Sequence, residues 1–563
     1  MFEFLGGVWG RTDTTNYDVF RTFLIFISVL LVVKWLRCNC TLPLPPGPWG
    51  WPIVGYLPYI KGAVHLQYTK LAKKYGPIFS VKFGSHLIVV LSDHEIIREA
   101  FRLMDYAGRP HTDFMKIIDG YGIVNSEGTF WNDHRTFLLR IFRGLNKDTD
   151  GGIKAMEKTV MDNVNTFLKK LKNQEEAPIN ISPYLAVSIS NVICSLTMSV
   201  NFEDDDPTFK RFMDLIDEGF RLFAQLTYPT YIPLLRFFPW IHGTRNKLLQ
   251  NRIEMDQFFQ RIIDNHKRDF EEGRDFRDVV DAYIQKKNNP IFHGKDEDHQ
   301  MRQIMGDLFS AGMETVKTTL EWSMVYMLNY PKLAKEVQDE LDQIVGRSRL
   351  PSKADMNNLP ITHATILEII RRSNLVPLGT THATTRDVTL NGYKLPVGTQ
   401  VIPLLYAVHM DPLLWGDPEN FRPRRFISEE GKVKQPDYYM PFGTGKRSCL
   451  GKQLAEMEIF LFFSSLMHMY NLNLPKGDSK PSLEGNVGVT ISPKTFKLCL
   501  QYRSLDETGD DEDDNGGNKE PIIEEPTLHQ SVDDKDDNGN EEPVIEEPIK
   551  ELIGQYLRNI GSH

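Results

Sequence analysis

The sequence predicts a mainly α protein with small β-sheets, and three features carry that expectation. Apolar residues recur at helical spacing over 152–172, 246–272, 299–329, 331–345, 361–372 and 451–470. Strand-like patterns are confined to 78–83, 87–91, 388–395 (with an Asn391-Gly392 turn) and 399–405. Hydrophobic residues make up 41% of the 563, aromatics 11% and charged residues 25%. Such values provide a real core and exclude collagenous, coiled-coil and wholly disordered chains.

In chain order, a short segment over 1–18 precedes an apolar run over 19–36, VFRTFLIFISVLLVVKWL. Its charge-free centre, 22–33, is shorter than the roughly 20 residues that cross a bilayer. Arg21 and Lys34 lengthen it by reaching the two interfaces, where Trp35 also belongs. No small-residue cleavage site follows, so a retained single-pass anchor is expected. Lys34 and Arg37 on its C-terminal side place residues 1–18 in the lumen and the bulk of the chain in the cytosol. A strap over 37–58 carries Pro43, Pro45, Pro46, Pro48 and Pro52, which forbid helix and favour stiff extended chain.

The main domain then runs over 59–505. The pattern near 299–329 implies a helix of about 30 residues, roughly 45 Å long, stopped by Pro331. A helix of that length must traverse the domain. From 506 to 563 the chain has 19 acidic against 4 basic residues, and 510–526 recurs imperfectly as 533–548. This tail is expected to be disordered. Its last stretch, 549–560, has an amphipathic helical pattern that suits either a docking helix or a nascent helix with no role. The net charge of −10 therefore hides a body of +5, which suits a membrane surface or an acidic partner but does not imply nucleic acid. Five cysteines, Cys38, Cys40, Cys194, Cys449 and Cys499, form no disulfide framework and no C-x-x-C metal pair.

The chemistry concentrates at PFGTGKRSCLG, 441–451. Cys449 lies just before an apolar helical run, whose N-terminal amides and dipole favour a thiolate, and Arg447 adds positive charge. Glycines Gly445 and Gly451 let the backbone approach a flat ligand. Such a thiolate is a good axial ligand for haem iron. Cys194 and Cys499 read instead as structural cysteines.

The pattern Phe442-x-x-Gly445-x-Arg447-x-Cys449-x-Gly451 resembles the haem-binding signature of the cytochromes P-450, the haem-thiolate monooxygenases. Three further stretches resemble that family's motifs in order and spacing: Glu368-x-x-Arg371, Pro423-x-Arg425-Phe426 and Trp131-x-x-x-Arg135. The likeness covers nearly nine-tenths of the chain and stops before the acidic tail. It implies the family's fold, with haem b between a long central helix and the Cys449 loop, and Cys449 as the iron ligand. It also implies that Arg425 completes a Glu368–Arg371 network behind the haem. Taken alone, that pair would be an ordinary surface ion pair of at most about 1 kcal/mol.

On the central helix, Ala311-Gly312-Met313-Glu314-Thr315 resembles the family's oxygen-activation motif. Ala311 and Thr315 are i,i+4 and share one face, while Gly312 suits close passage over the macrocycle. Thr315 can donate to dioxygen and Glu314 can relay protons. Val316 departs from the Thr or Ser of many relatives. Alone, Thr315 would read as a hydroxyl bonded back to its own helix. The resemblance further implies that Arg109, Trp131, Arg135, His382 and Arg447 hold the haem propionates. His363 and His409 read as structural.

Arg135, Arg140, Arg143, Lys147, Lys446 and Lys452 make a basic patch suited to an acidic flavoprotein. The family likeness implies NADPH–cytochrome reductase, with O2 as co-substrate. An apolar pocket is expected from Phe309, Ala311, Met313 and Thr315 with the segments 113–124, 376–381 and 486–490, roofed by 220–227.

The runs LFSAGMETVKTTLEW, VPLGTTHATTRDVTLNGY, VIPLLYAVHMDPLLW and IFLFFSSLMHMYNL resemble the insect ecdysteroid 26-hydroxylase group of the microsomal enzymes. That likeness implies hydroxylation of an ecdysteroid side chain at C26, further oxidation to the acid, hormone inactivation and an endoplasmic-reticulum membrane location. The alternatives are ecdysteroid 25-hydroxylation, a broad xenobiotic or fatty-acid hydroxylase and, in a different class, a non-enzymatic haem-binding protein. An intact Glu314–Thr315 pair argues against the last.

Overall fold

The computed structural model describes residues 43–503 except 145–150, 175–176, 204, 233–234, 236, 272 and 287–289, with a few positions between 21 and 29. The anchor expected over 19–36 therefore lies essentially outside the described residues, as does the tail over 506–563. Among the described residues no helix is long and apolar enough to cross a membrane.

The N-terminal part contains α1 (Val64–Tyr75), strands β1 (Ile78–Phe83) and β2 (His86–Leu91), α2 (His94–Arg102), α3 (Asp113–Ile118) and α4 (Gly128–Gly144). Next come α5 (Gly151–Lys172), α6 (Ser182–Met198), α7 (Pro207–Tyr231), α8 (Pro239–Arg268) and α9 (Val279–Ile284). The central helix is α10 (Glu297–Asn329), followed by α11 (Pro331–Ile344) and α12 (Pro360–Ser373). Short strands β3 (His382–Ala383), β4 (Val388–Leu390), β5 (Tyr393–Leu395) and β6 (Gln400–Pro403) lead to α13 (Leu405–His409) and α14 (Pro412–Trp415). The last long helix is α15 (Lys452–Met469), with β7 (Tyr470–Asn473), β8 (Gly485–Val487), β9 (Ile491–Pro493) and β10 (Cys499–Tyr502) behind it.

The central helix has 33 residues, or about 50 Å at the usual rise. Asp296 caps it by accepting from the His299 amide, and Pro331 ends it. From Met313 to Leu328 it is buried on nearly every side, as a helix through the middle of a core must be. Its closest approach is to α6. A Cβ added at Gly312 would lie 2.7 Å from Ile193 Cδ1. The glycine therefore admits α6 on this side.

The larger sheet has the order β1-β2-β6-β3, antiparallel except for the parallel β2–β6 pair. Strands β4 and β5 form the expected hairpin, with Asn391 (φ 47°) and Gly392 (φ 82°) both left-handed. The proline strap is tied to the sheet edge, since Ser80 donates its amide to Pro46 O and its hydroxyl to Pro45 O, each at 2.8 Å. Helix α8 begins at Pro239, seven residues before the periodicity suggested, because a proline is welcome in a first turn.

Candidate active site

Cys449 stands at the end of a loop held open by glycine. Gly445 has φ 74°, and any side chain there would collide with the Phe101 carbonyl at the end of α2. The Cys449 amide donates to Phe442 O at 2.9 Å, which fixes the turn that leads into α15. The thiol is exposed, yet burial pushes its proton affinity up, against the pull of the Gly451 amide and Arg135. A group that is reachable yet deep in protein mass faces an internal space. Such a thiol needs a bound cation to be held as thiolate.

Ala311 shows the same signature. It is exposed midway along the central helix, and Thr315 is half-buried, while Phe309 and Met313 are fully buried. Phe309 packs on Phe212 of α7 with ring centroids 4.7 Å apart. Phe309 and Met313 therefore belong to the core and not to the pocket wall expected of them. The two-residue offset puts them on the other side of the helix from Ala311. Thr315 Oγ1 donates to Ala311 O at 2.8 Å, so its hydroxyl is bonded back to its own helix.

Around this space the structure gathers positive charge. Arg109 and Arg447 are 7% and 8% exposed. Burial and the neighbouring guanidiniums of Arg109 and Arg135 pull Arg447 down to about 8, and burial with Arg135 pulls Arg109 down to about 10. Glu127 is the acid that tempers both. Three crowded guanidiniums against two carboxylates, Glu127 and Asp307, form a site for anions. Arg447 is anchored by carbonyls and by Trp131. Its side chain donates to Ala107 O at 2.9 Å and Ser126 O at 2.6 Å, and its guanidinium lies 3.7 Å from the Trp131 ring centroid. The guanidinium closest in effect to the thiol belongs to Arg135, which donates to Ser448 O at 2.7 Å.

The loop before α4 is hung between this cluster and the central helix. Asp307 accepts from the amides of Ile123 and Val124 at 2.7 and 2.9 Å, and Gln300 accepts from Gly122 at 2.8 Å. The same loop offers Val124 O to Arg109 Nε at 2.8 Å. His382 is 4% exposed, bonds Tyr106 O through Nδ1 at 2.8 Å and stacks on Phe101 at 3.8 Å. Burial and Arg109 pull it down to about 3, so it is neutral.

Glu368 and Arg371 are both fully buried and joined by two hydrogen bonds of 2.7 and 2.9 Å. Arg425 Nε adds a third contact to Glu368 at 3.1 Å. The pair is thus not the surface contact its spacing alone would suggest. Of the basic patch, Arg140, Lys446 and Lys452 are exposed. The side chains of Arg143 and Lys147 lie outside the described residues.

Glu314 has company that its motif alone does not reveal. Its carboxylate is 3.2 Å from Lys317 Nζ and accepts from Thr318 at 3.1 Å and Thr490 at 3.4 Å. Lys317 and Glu321 stand three and seven places beyond Glu314, on the same helical face. That spacing was the available signal.

The described residues thus provide an accessible cysteine at a helix start, an exposed small residue on the central helix, and buried arginines that call for an anion. A thiolate for iron and guanidiniums for carboxylates are the donor set that haem requires. The cytochrome P450 family model matches residues 45–500. Cytochrome P450 18a1 of Drosophila melanogaster is 49% identical over 512 residues, covering 89% of this chain and 95% of that protein. Human cytochrome P450 2J2 is 34% identical over 490 residues, and rat cytochrome P450 2U1 is 32% identical over 507, each covering 85% of this chain. They cover 95% and 94% of those proteins. The chain belongs to the cytochrome P450 family. It is a monooxygenase that uses haem-thiolate iron, O2 and electrons from a reductase on an apolar substrate.

Proposed function

We propose that this enzyme hydroxylates the side chain of an ecdysteroid at C26 and oxidises the product further to the acid. The observation that carries the substrate is the ecdysteroid-hydroxylase likeness of four runs spread from the central helix to α15, together with 49% identity over nearly all of cytochrome P450 18a1. The haem, when bound, supplies the oxygen-activating iron. Cys449 is its thiolate ligand, held by the Phe442 carbonyl and the glycine turn. Arg109, Arg135 and Arg447 take the propionates, with Trp131 fixing the Arg447 plane and His382 a neutral neighbour. Ala311 would leave room for the haem beside the central helix, and Gly451 would let the loop backbone lie close to the thiolate. Thr315 and Glu314 position and deliver protons there.

Electrons come from NADPH–cytochrome reductase, received on Arg135, Arg140, Arg143, Lys147, Lys446 and Lys452. The enzyme is placed at the endoplasmic-reticulum membrane, with residues 19–36 as anchor, 37–58 as strap and 506–563 as a tail outside the catalytic domain. Exposed Trp49, Trp51 and Ile53 in the strap, Phe237 and Phe238 between α7 and α8, and Trp240 in the first turn of α8 support a membrane-facing surface.

The test is incubation of the reconstituted enzyme with reductase, NADPH and 20-hydroxyecdysone, followed by mass spectrometry. Addition of one oxygen at the terminal side-chain carbon, then conversion to the acid, is expected. Turnover of fatty acids or xenobiotics with none of ecdysteroids would overturn the substrate assignment.

A further inference from the structure

Three stretches expected to wall the pocket, 311–315 on the central helix, 376–381 and 486–490, are tied together next to one residue, Ile491 at the start of β9. Its amide donates to Leu375 O at 2.8 Å, just before the 376–381 stretch, and its carbonyl accepts from Trp322 Nε1 at 2.8 Å. Trp322 stands two turns beyond Thr315 on the same face of α10, and at 1% exposure it presents nothing to a substrate. The fit around it is close. A Cβ added at Gly485 of β8 would lie 3.0 Å from Trp322 Cζ2 and 2.4 Å from Ile491 Cγ2, so the glycine lets the hairpin settle on the indole.

The hairpin that Ile491 belongs to is short. Strands β8 and β9 pair over three residues each, and Gly488 donates to Thr490 O at 3.0 Å across the turn. Two such strands carry little stability of their own, so the position of the tip depends on what holds its base. The tip exposes two apolar side chains, Val487 at 53% and Val489 at 51%. Between tip and base, Thr490 donates to Glu314 Oε1 at 3.4 Å. Glu314 adjoins half-buried Thr315 and lies one turn from exposed Ala311, which brings the valines to the same opening.

We propose that Trp322 is a positioning residue for the monooxygenase reaction: its indole N–H fixes the β8–β9 tip against the central helix and so sets which carbon of the substrate is oxidised. The inference rests on the wall role of 486–490. Trp322 touches neither substrate nor cofactor and acts through Ile491. Without its hydrogen bond the tip shifts, both valines move with it, and the substrate is presented in more than one pose.

The test pairs hydrogen exchange of the holoenzyme with product analysis in native protein, Trp322→Phe and Gly485→Ala. The first variant removes the donor and keeps an aromatic ring, and the second pushes the hairpin off an unaltered helix. In both, amides of 485–493 should exchange about fivefold faster, as for one lost hydrogen bond, while those of 388–395 in the β4–β5 hairpin stay native. With reductase, NADPH and 20-hydroxyecdysone, the ratio of C26 product to all other monohydroxylated products should fall about fivefold in both. Native hairpin exchange in Trp322→Phe would overturn the inference, and so would faster exchange with an unmoved product ratio. Should Trp322→Phe fail to fold, Gly485→Ala decides on the same two readouts. A native enzyme that oxidises no ecdysteroid would remove the substrate assignment instead, and the ratio is then read on lauric acid as terminal against internal hydroxylation.

Discussion

Two pairs in this molecule share one sequence signature, an acid followed three residues later by a base on a helix. Glu314–Lys317 and Glu368–Arg371 would look interchangeable on a helical wheel. In the fold they are opposites. Glu368 accepts from Arg371 twice, from Arg425 and from the Arg422 amide, while Arg371 also donates to His409 O and Pro418 O. Every polar atom of Glu368 and Arg371 is held at zero exposure, and the one carboxylate meets two guanidiniums, Arg371 and Arg425. Around Lys317 the balance reverses, with two acids, Glu314 and Glu321, to one base. The saturated pair is a structural lock, whereas Glu314 holds a single cation and two hydroxyl donors. Spacing specifies the face, but saturation specifies the role.

Breaking the lock should produce the largest effect. Arg371→Ala takes two hydrogen bonds and the nearer cation from buried Glu368 and strands the His409 and Pro418 carbonyls, a cost of about 3–5 kcal/mol, read from denaturant midpoints. A change below about 1 kcal/mol would show that the network contributes no more than a surface pair. Next comes Arg447→Leu, which strands the Ala107 and Ser126 carbonyls and should cost about 1–3 kcal/mol. It should also speed haem loss to a scavenger protein, and unaltered haem retention would argue against a propionate partner.

Acid should sharpen the contrast further. His409 sits in the locked network, its Nε2 accepting from the Met440 amide, and burial with Arg371 pulls it down to about 3. The folded state then refuses a proton that the unfolded chain binds below about pH 6.5, so stability falls as pH drops from there toward 3. His409→Gln should flatten that part of the denaturation-versus-pH curve, and an unchanged slope would remove His409 as a cause. The smallest effect on stability belongs to Glu314→Gln, within about 1 kcal/mol, because its pairing is single and partly hydrated. A larger loss would make Glu314 a second lock.

The helices were readable wherever apolar periodicity ran long, as in α5, α10, α11, α12 and α15. They were missed where the pattern was too apolar to show a face, as in α6, most of which is buried. Helix α7 was hidden by its internal Pro229 and mixed composition. At the site, residues bound by local motifs were found because spacing along one helix or loop determines who meets whom. Partners brought by the fold were not. Asp307 reaches Val124 across 183 residues, Thr490 reaches Glu314 across 176, and Arg447 reaches Ser126 across 321. Hydrogen bonds between such distant segments leave no periodic trace. For the same reason the helical pattern alone does not reveal that Phe309 and Met313 turn into the core.

Cys449 carries more of the chemistry than any other residue, and one spectrum addresses it directly. Reduced native protein under carbon monoxide should give the red-shifted Soret band of a thiolate-ligated haem, and Cys449→His, still binding haem, should give the unshifted band of a nitrogen ligand. A thiolate-type band surviving in Cys449→His, or its absence from haem-loaded native protein, would contradict the assignment.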